Sequence, residues 1–436
     1  MTDFILTNAV LRNGDAIDIE IRDGQIDQIV SRGEGDIDAF DTSQRFHADG
    51  RLVTPPFAEP HTYLVTANTF SGLLRDGYEM PRPDRFGVGW EMYDDLEEAG
   101  MLEPKSIVER TSSQLNWFLA HGVTTVRTHV DTSSRHGNKL VEGLLELCRV
   151  YEGVVDVQIV GLPLDSLVRS NAEVEALCNA LDAGVDVVGG IPHKEATRED
   201  GVEHVKTIVD LADSYDRPLD PHIDESDDSY SRFTGVLASE VEKRSLDTQV
   251  TASHLTAMHT YPNAYADKLR GLLARNDISV ITNPTTNAEL QGRRDDYPRR
   301  RGHTRVDELL EAGITVGIGQ DNMVDKYHPY GDCDPLGEVL FLAHFGHLTS
   351  WYDVPTLWEM VIENNASILG LNSGLKPGNE GSFVLFDAPD SYNALRTRAP
   401  RRLVVREGRP VTRRELGTVY VRTNEQWESV DFAVSV

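Results

Sequence analysis

Eight short apolar runs recur along the middle of the chain, and polar residues lie at or near the end of most of them. Short, mainly apolar runs of this kind are typical of buried β-strands. The runs are LVTPPFAEPHTYL at 52–64, TTVRTHVD at 124–131, DVQIVGLP at 156–163, DVVGGIPHKE at 186–195, PLDPHIDE at 218–225, QVTASH at 249–254, ISVITNP at 278–284 and ITVGIGQD at 314–321. We therefore predict eight strands in this part of the chain.

Between these runs lie segments whose apolar residues are spaced by three and four, as in an amphipathic helix. They include EGLLELCRVYEG at 142–153, EVEALCNALDAG at 173–184, VEHVKTIVDLADSYD at 202–216, YADKLRGLLARND at 265–277 and VDELLEAGI at 306–314. Gly122, Gly184 and Gly313 follow helical segments, where a left-handed residue commonly ends a helix. The alternation of strand and helix predicts parallel strands with right-handed crossovers, arranged as a (β/α)8 barrel.

Both ends of the chain show a different pattern, in which apolar and polar positions alternate. Near the amino terminus, Asn13-Gly14 and Asp23-Gly24 are favoured two-residue hairpin turns. Near the other end, the segments 382–389, 401–411 and 418–425 repeat the alternation. We predict one small β domain built from residues 1–54 and 373–436, flanking a barrel at 55–372.

Composition narrows the range of partners and locations. The chain has 436 residues and a net charge of −29, so its surface should repel nucleic acid and anionic membranes. Acidity spread along the whole chain favours a surface adapted to concentrated salt over a merely acidic mesophilic enzyme. Cys148, Cys178 and Cys333 show no CxxC spacing and are expected to be reduced thiols. Without a signal peptide or a membrane-spanning run, we expect a soluble cytoplasmic protein.

Several of the predicted strands end in residues that can bind or use a metal ion. His61, His222 and Asp321 end three different strands, and His and Asp are preferred ligands of divalent cations. Glu225 lies three residues after His222, and His254 ends the sixth run. Loops at the carboxyl ends of barrel strands converge over one mouth. The pattern therefore predicts a metal-assisted hydrolase with a small-molecule substrate, in which Glu225 is a general acid/base.

Longer motifs resemble the cytosine deaminase branch of the amidohydrolase superfamily. They are PPFAEPH, GVTTVRTHVD, VVGGIPHKEATRE, HIDESDD, VTASHLTAMH, LQGRRDDYPRRRGHTRV and GQDNMVDKYHPYG. The resemblance implies a distorted (β/α)8 barrel, a β-sandwich built from both termini, and one divalent metal ion, zinc or iron. It also implies that His61, His222 and Asp321 are metal ligands, with Glu225 as proton shuttle. His254 would be the hydrogen-bonding histidine, and Asp321 would also act as a base.

The chain departs from this family at one metal position. The family's first strand normally ends in His-x-His, whereas this chain has His61-Thr62-Tyr63. Tyr63 therefore stands at the place of the second histidine, and a neutral phenol is a poor zinc ligand. Three protein ligands still suffice for catalytic zinc.

Further departures affect the substrate pocket. Leu164 replaces a glutamine that pairs with the pyrimidine edge in the family, so cytosine itself is not the expected substrate. Asn322 stands where an aspartate can occur, and Tyr327 where a tryptophan can cover the ring. Gln291, with Arg293 nearby, is a candidate for substrate contact or for capping a loop.

Other residues at strand ends leave alternatives open. His129 and His193 could contact substrate or form structural hydrogen bonds. Lys194 lies past the fourth strand, which does not favour a two-metal site bridged by a carbamylated lysine.

Two other functions remain: a ligand-binding protein with a degenerate metal site, and a hydrolase of another cyclic amide or N-alkyl triazine. Barrels of this type also commonly form homo-oligomers.

Overall fold

The computed structural model describes residues 2–32, 44–69, 88–325, 327–415, 417, 420–423 and 426–429. The strands in chain order are β1 (Thr2–Val10), β2 (Ala16–Arg22), β3 (Gln25–Ser31), β4 (Arg45–Thr54), β5 (Phe57–Thr62), β6 (Val123–Asp131), β7 (Asp156–Leu162), β8 (Val187–Val188), β9 (His222–Ile223), β10 (Thr251–His254), β11 (Ser279–Thr282), β12 (Val316–Ile318), β13 (Phe383–Phe386), β14 (Arg401–Arg406), β15 (Arg409–Arg413), β16 (Tyr420–Thr423) and β17 (Gln426–Ser429).

Helices separate most of these strands within the described ranges. The α-helices are Val88–Glu98, Pro104–Ala120, Lys139–Val150, Asn171–Ala183, Arg198–Tyr215, Phe233–Arg244, Asn263–Arg275, Pro284–Leu290, Val306–Glu311, Pro335–Phe345, Asp353–Glu359, Asn365–Ile368 and Ser391–Thr397. Short 3-10 turns lie at Pro192–Lys194 and Thr256–Thr260, and a π-helical turn at Met360–Asn364. No helix among the described residues is long and apolar enough to cross a lipid bilayer.

The strands β5 to β12 form a closed parallel barrel. They pair in the order β5-β6-β7-β8 and β9-β10-β11-β12. Parallel bridges from Leu219 to Val188 and to Val250 join the two halves on one side. A bridge between Thr62 and Asp321 closes the other side. The predicted (β/α)8 barrel is therefore confirmed, and its eight strands coincide with the eight apolar runs.

Burial and local capping explain why these segments form the barrel. All nine residues of β6 are buried, as expected for a strand covered on both faces. The three glycines predicted to end helices do so with left-handed backbone, at φ 85° for Gly122, 118° for Gly184 and 75° for Gly313. At Gly122 a Cβ atom would also lie 2.8 Å from a Val384 methyl, so this glycine permits close packing against β13.

The two ends of the chain meet in one seven-stranded sheet, in the order β15-β14-β13-β4-β1-β2-β3. Both predicted hairpin turns lie between its paired strands β1, β2 and β3. Its apolar residues, among them Phe4, Ile19, Phe383 and Leu403, form a separate buried core. The prediction of a β domain built from both termini is confirmed. The last predicted strand forms a separate two-stranded sheet, in which β16 pairs with β17.

Candidate active site

Four imidazoles converge at the carboxyl ends of the barrel strands. The ring centroids of His61, His222 and His254 lie 4.6–4.8 Å apart. His129 packs against His61 at 4.1 Å. The carboxylate of Asp321 approaches the same point, with Oδ1 3.7 Å from Nε2 of His61. The structure thus brings together residues that lie up to 260 positions apart in the sequence.

A chain of buried hydrogen bonds fixes the proton of His61. Arg127 donates to Asp220 at 3.0 Å, and the hydroxyl of Ser253 donates to the other oxygen of Asp220 at 2.6 Å. Ser253 Oγ lies 3.1 Å from Nδ1 of His61. Because the Ser253 hydroxyl proton is already donated to Asp220, Oγ accepts a hydrogen bond from His61. The proton of His61 therefore lies on Nδ1, and the lone pair of Nε2 faces the site. Burial lowers the pKa of His61 well below its usual value, which keeps the ring neutral.

His254 has the opposite proton arrangement. The side-chain amides of Asn283 and Asn287 place their nitrogens 3.2 Å and 3.0 Å from its Nδ1. Because an amide nitrogen only donates, Nδ1 accepts and the proton lies on Nε2. That atom is buried and without a hydrogen-bond partner among the described residues. His254 thus presents an N–H donor to the site, which suits it to hold a substrate oxygen and not a metal.

Asp321 is held by the first barrel strand. Its backbone N–H donates to the carbonyl of His61 at 2.8 Å, and the hydroxyl of Thr62 donates to its carbonyl at 2.9 Å. Its backbone is left-handed, at φ 65°, and so is that of His254, at 78°. Such conformations are strained for residues other than glycine and are found at functional sites. Burial, followed by the charge of Glu225, raises the pKa of Asp321 well above its usual value.

Tyr63 contacts a candidate metal ligand directly. Its hydroxyl lies 2.8 Å from Nε2 of His222. Burial, reinforced by Asp321 and Glu225, raises the pKa of Tyr63 well above its usual value, so the phenol stays protonated. A cation bound at Nε2 of His222 would displace this hydrogen bond. Tyr63 therefore lies in the candidate coordination sphere, as a competitor for the nitrogen and not as a phenolate ligand.

The residues present fit a divalent metal ion. His61 Nε2 and Asp321 Oδ1 are buried, and neither has a hydrogen-bond partner among the described residues. Buried polar atoms without partners are unfavourable unless something else binds them. In the triad of His61, His222 and His254, and in that of Glu225, His254 and Asp321, the potential ligand atoms lie within 4.8 Å of one another.

Glu225 and the preceding Asp224 have separate tasks. The Asp224 carboxylate accepts hydrogen bonds from the backbone of Phe233 and Thr234 at 2.9 Å, at the start of a helix. Glu225 instead lines the cavity over the site, with its carboxylate 3.7 Å from Nδ1 of His254. Glu225 therefore lies beside the imidazole cluster and faces the cavity.

A cavity of about 800 Å³ opens above the imidazoles. All four residues predicted to contact substrate line it, namely Leu164, Gln291, Asn322 and Tyr327. The Oε1 atom of Gln291 is buried and has no hydrogen-bond partner among the described residues, so it is available to a ligand. The side-chain amide of Asn322 is already used, because it donates to Asp325 at 2.7 Å.

The remaining strand-end residues have different environments. His193 and Lys194 line the cavity, whereas His129 lies within the imidazole cluster below it. Burial lowers the pKa of His193 to about 3 and that of His129 to about 4, so both are neutral near pH 7. His129, His61 and Asp220 also have potential ligand atoms within 4.8 Å of one another.

Sequence reasoning missed several residues that hold the site in place. Asp220 precedes His222 by two positions and lies on the same face of the chain, a spacing that could have identified it. Glu59 accepts backbone hydrogen bonds from His61 and Gln320 at 3.0 Å and thereby joins β5 to β12. Asp325 accepts from the backbone of Tyr327 and from Asn322, so it organises the loop after β12.

A closed parallel barrel with buried imidazoles and a carboxylate at its mouth defines a metal-dependent (β/α)8 hydrolase. Comparison with known proteins assigns the family. The model of the amidohydrolase family designated Amidohydro_3 matches residues 68–412, and the chain belongs to that family. The predicted amidohydrolase membership is confirmed, and the protein is a hydrolase acting on carbon–nitrogen bonds.

Solved and curated relatives cover nearly the whole chain. The structure of 5-methylcytosine deaminase from Klebsiella pneumoniae with 5-fluorocytosine is 34% identical, with a TM-score of 0.88 over 95% of this chain and 99% of that one. N-isopropylammelide isopropyl amidohydrolase of Pseudomonas sp. strain ADP is 26% identical over 95% of this chain and 98% of its own. Pterin deaminase of Rhizobium rhizogenes is 26% identical over 92% of this chain and 90% of its own. These findings do not favour the alternative of a non-catalytic binding protein.

Proposed function

We propose that the protein hydrolytically deaminates a small nitrogen heterocycle, a pyrimidine or a related ring. The observation that carries the proposal is the convergence of His61, His254, Glu225 and Asp321, of which Glu225 and Asp321 line the cavity. The names of the relatives support it, because they include deaminases and an amidohydrolase of ring substrates. No curated relative among those compared fixes the substrate, since each is about a quarter identical.

The proposed cofactor is one divalent ion, zinc or iron, held by His61, His222 and Asp321. His61 supports this role because its Nε2 lone pair faces the site. Burial raises the pKa of the Asp321 carboxyl, and a divalent ion beside it would favour its charged form. When bound, such an ion supplies a nucleophilic water at neutral pH.

The chain's own residues account for the proton transfers. Asp321 accepts a proton from the attacking water, whose oxygen bonds to the ring carbon that carries the amine. His254 donates its Nε2 proton in a hydrogen bond to the oxygen so added, which stabilises developing negative charge. Glu225 relays the proton taken from the water to the departing nitrogen, the carbon–nitrogen bond breaks, and ammonia leaves. The same groups could hydrolyse an N-alkylated ring amine.

The pocket favours a ring other than cytosine. Leu164 presents an apolar wall to the cavity, and its backbone N–H already donates to Asp131 at 3.3 Å and to Ser133 at 3.2 Å. A polar ring edge placed against Leu164 would lose hydrogen bonds to water, at about 1–3 kcal/mol per unsatisfied group. Gln291 offers the buried acceptor Oε1 to a ring N–H instead. We therefore expect cytosine to be a weak substrate.

An ammonia-release screen over pyrimidines, triazines and pterins, using protein loaded with zinc or ferrous ion, tests the proposal. We expect release from at least one ring, and a fall in kcat of about 10²- to 10⁴-fold in Glu225→Gln. The control is Glu311→Gln, which changes an exposed glutamate outside the cavity and should keep full activity. The proposal would be overturned if the metal-loaded protein released ammonia from none of these rings, or if Glu225→Gln kept the kcat of the parent.

A further inference from the structure

Lys194 places a positive charge on the wall of the substrate cavity. It ends the 3-10 turn Pro192–Lys194, directly after β8, and its side chain lines the cavity. Within the described part of the chain, no acceptor lies within hydrogen-bonding distance of it and no carboxylate within ion-pair distance. The charge is accessible to a ligand and is not used to hold the fold together.

Three of the acidic residues that line the cavity accept hydrogen bonds from other parts of the protein. Glu195 accepts from Ser166 and lies 2.7 Å from Nδ1 of His204. Glu173 accepts from the backbone and hydroxyl of Ser134. Asp227 accepts from the backbone of Gly292 at 2.8 Å. These three carboxylates therefore bind other groups and do not pair with Lys194.

Lys194 keeps an exposed surface, and its surroundings act on its charge in two directions. Burial lowers the pKa of Lys194, and the more distant charges of Glu225 and Asp131 oppose that effect only in part. A cation that is partly removed from water and has no partner is stabilised by an incoming anion. Perturbed ionisable groups in clefts are accordingly common at binding sites.

Lys194 and the proposed reacting centre line the same cavity. Glu225 and Asp321 line it together with Lys194, so a ring whose amine contacts Glu225 presents its remaining edges to other lining residues. We propose that Lys194 binds an anionic oxygen of the substrate, so that the substrate is an acidic heterocycle. This oxygen belongs either to a carboxylate substituent or to an ionised oxygen of the ring itself. The inference rests on the proposed function, because it uses the same cavity.

Two pairs of probes distinguish the sources of the anionic oxygen. Cytosine-5-carboxylate and cytosine differ in a carboxylate substituent, so this pair tests recognition of a carboxylate. Ammelide and ammeline differ in their ring oxygens, so this pair tests recognition of an ionised ring oxygen. Binding is measured by calorimetry on zinc-loaded protein carrying Glu225→Gln, so that turnover does not interfere. We expect one acidic ring to bind about 10- to 100-fold more tightly than its neutral counterpart, as a charged hydrogen bond provides.

Variants of Lys194 assign the preference to this side chain. Lys194→Met should abolish the preference and Lys194→Arg should retain part of it. Lys105→Met should leave it unchanged, because Lys105 is exposed beside Glu109 and lies outside the cavity. Equal affinity for acidic and neutral rings would overturn the inference. An equal loss of affinity for both rings in Lys194→Met would overturn it as well. If acidic rings bind through Lys194 yet the active protein releases no ammonia from any ring, the proposed deamination fails, whereas the role of Lys194 as the anion-binding residue of this cavity stands.

Discussion

Tyr63 is the residue that most distinguishes this site from the His-x-His pattern. The sequence places it at the position of a second histidine, and the structure adds that its hydroxyl bonds to Nε2 of His222. A tyrosine in this position both removes one ligand and competes for another. We therefore expect metal affinity at the proposed site to depend on the hydroxyl of Tyr63 as well as on the proposed ligands.

Substitution of Tyr63 separates these two effects. We expect Tyr63→Phe to bind zinc more tightly than the parent, because Nε2 of His222 is released. Tyr63→His should bind more tightly still, since it adds a nitrogen ligand. Competition with a chromophoric chelator measures both affinities. Unchanged affinity in Tyr63→His would show that position 63 lies outside the coordination sphere.

At the residue scale, the sequence indicated which side chains carry the chemistry but not their proton positions. His61 and His254 both end barrel strands and look alike in the sequence. They differ because Ser253 accepts from one ring, whereas Asn283 and Asn287 donate to the other. These partners come from neighbouring strands and helices, so their contacts depend on the closed barrel and not on local spacing.

At the element scale, the barrel strands support one another through buried polar contacts. The hydrogen-bonded chain of Arg127, Asp220, Ser253 and His61 connects β6 and β10 to the first strand, β5. It fixes the orientation of His61 and directs Nε2 toward the site. Partners that orient a metal ligand in this way commonly change metal affinity by 10- to 100-fold when removed.

Ser253→Ala tests this chain of contacts. We expect zinc affinity to fall by about 10- to 100-fold, because Nδ1 of His61 loses its acceptor. Ser214→Ala is the matched control, since Ser214 is exposed and donates to a carbonyl of its own helix. Both affinities are measured by chelator competition, with circular dichroism to confirm folding. Equal affinities in the two variants would remove the proposed positioning role of Ser253.

The elements themselves were largely predictable, with exceptions that have local causes. Periodicity located the eight barrel strands and the terminal hairpins. Strand β9 has only two residues, although its apolar run is longer, because Pro218 and Pro221 lack the N–H groups a longer ladder requires. Leu219, between the two prolines, instead forms single bridges that close the barrel. Sequence patterns alone do not predict which isolated residues make such bridges.

At the scale of the whole molecule, the net charge of −29 is the dominant feature. Like charges on one surface destabilise a compact chain, and added salt screens their repulsion. The salt-adapted surface stays a prediction, as do the boundaries at 54/55 and 372/373, the cytoplasmic location and a homo-oligomeric state. Of these, the response to salt is the most direct to measure.

Thermal unfolding in potassium chloride tests the salt prediction. We expect Tm to rise between about 0.1 M and 1 M, because the screening length falls from about 10 Å to about 3 Å. A further rise above about 1 M would indicate stabilisation beyond simple screening, as expected of a salt-adapted protein. A Tm that stays constant or falls over the whole range would contradict the expectation.

The central claim is that His61, His222 and Asp321 converge on one catalytic metal ion. Anomalous diffraction from crystals of protein loaded with zinc or iron, recorded at the absorption edge of the metal, tests it most directly. The account predicts a single strong peak about 2.0–2.2 Å from Nε2 of His61 and from the carboxylate of Asp321, with the Tyr63 hydroxyl displaced from His222. Loaded crystals with no peak in the imidazole cluster, or with a peak only at surface carboxylates, would contradict it.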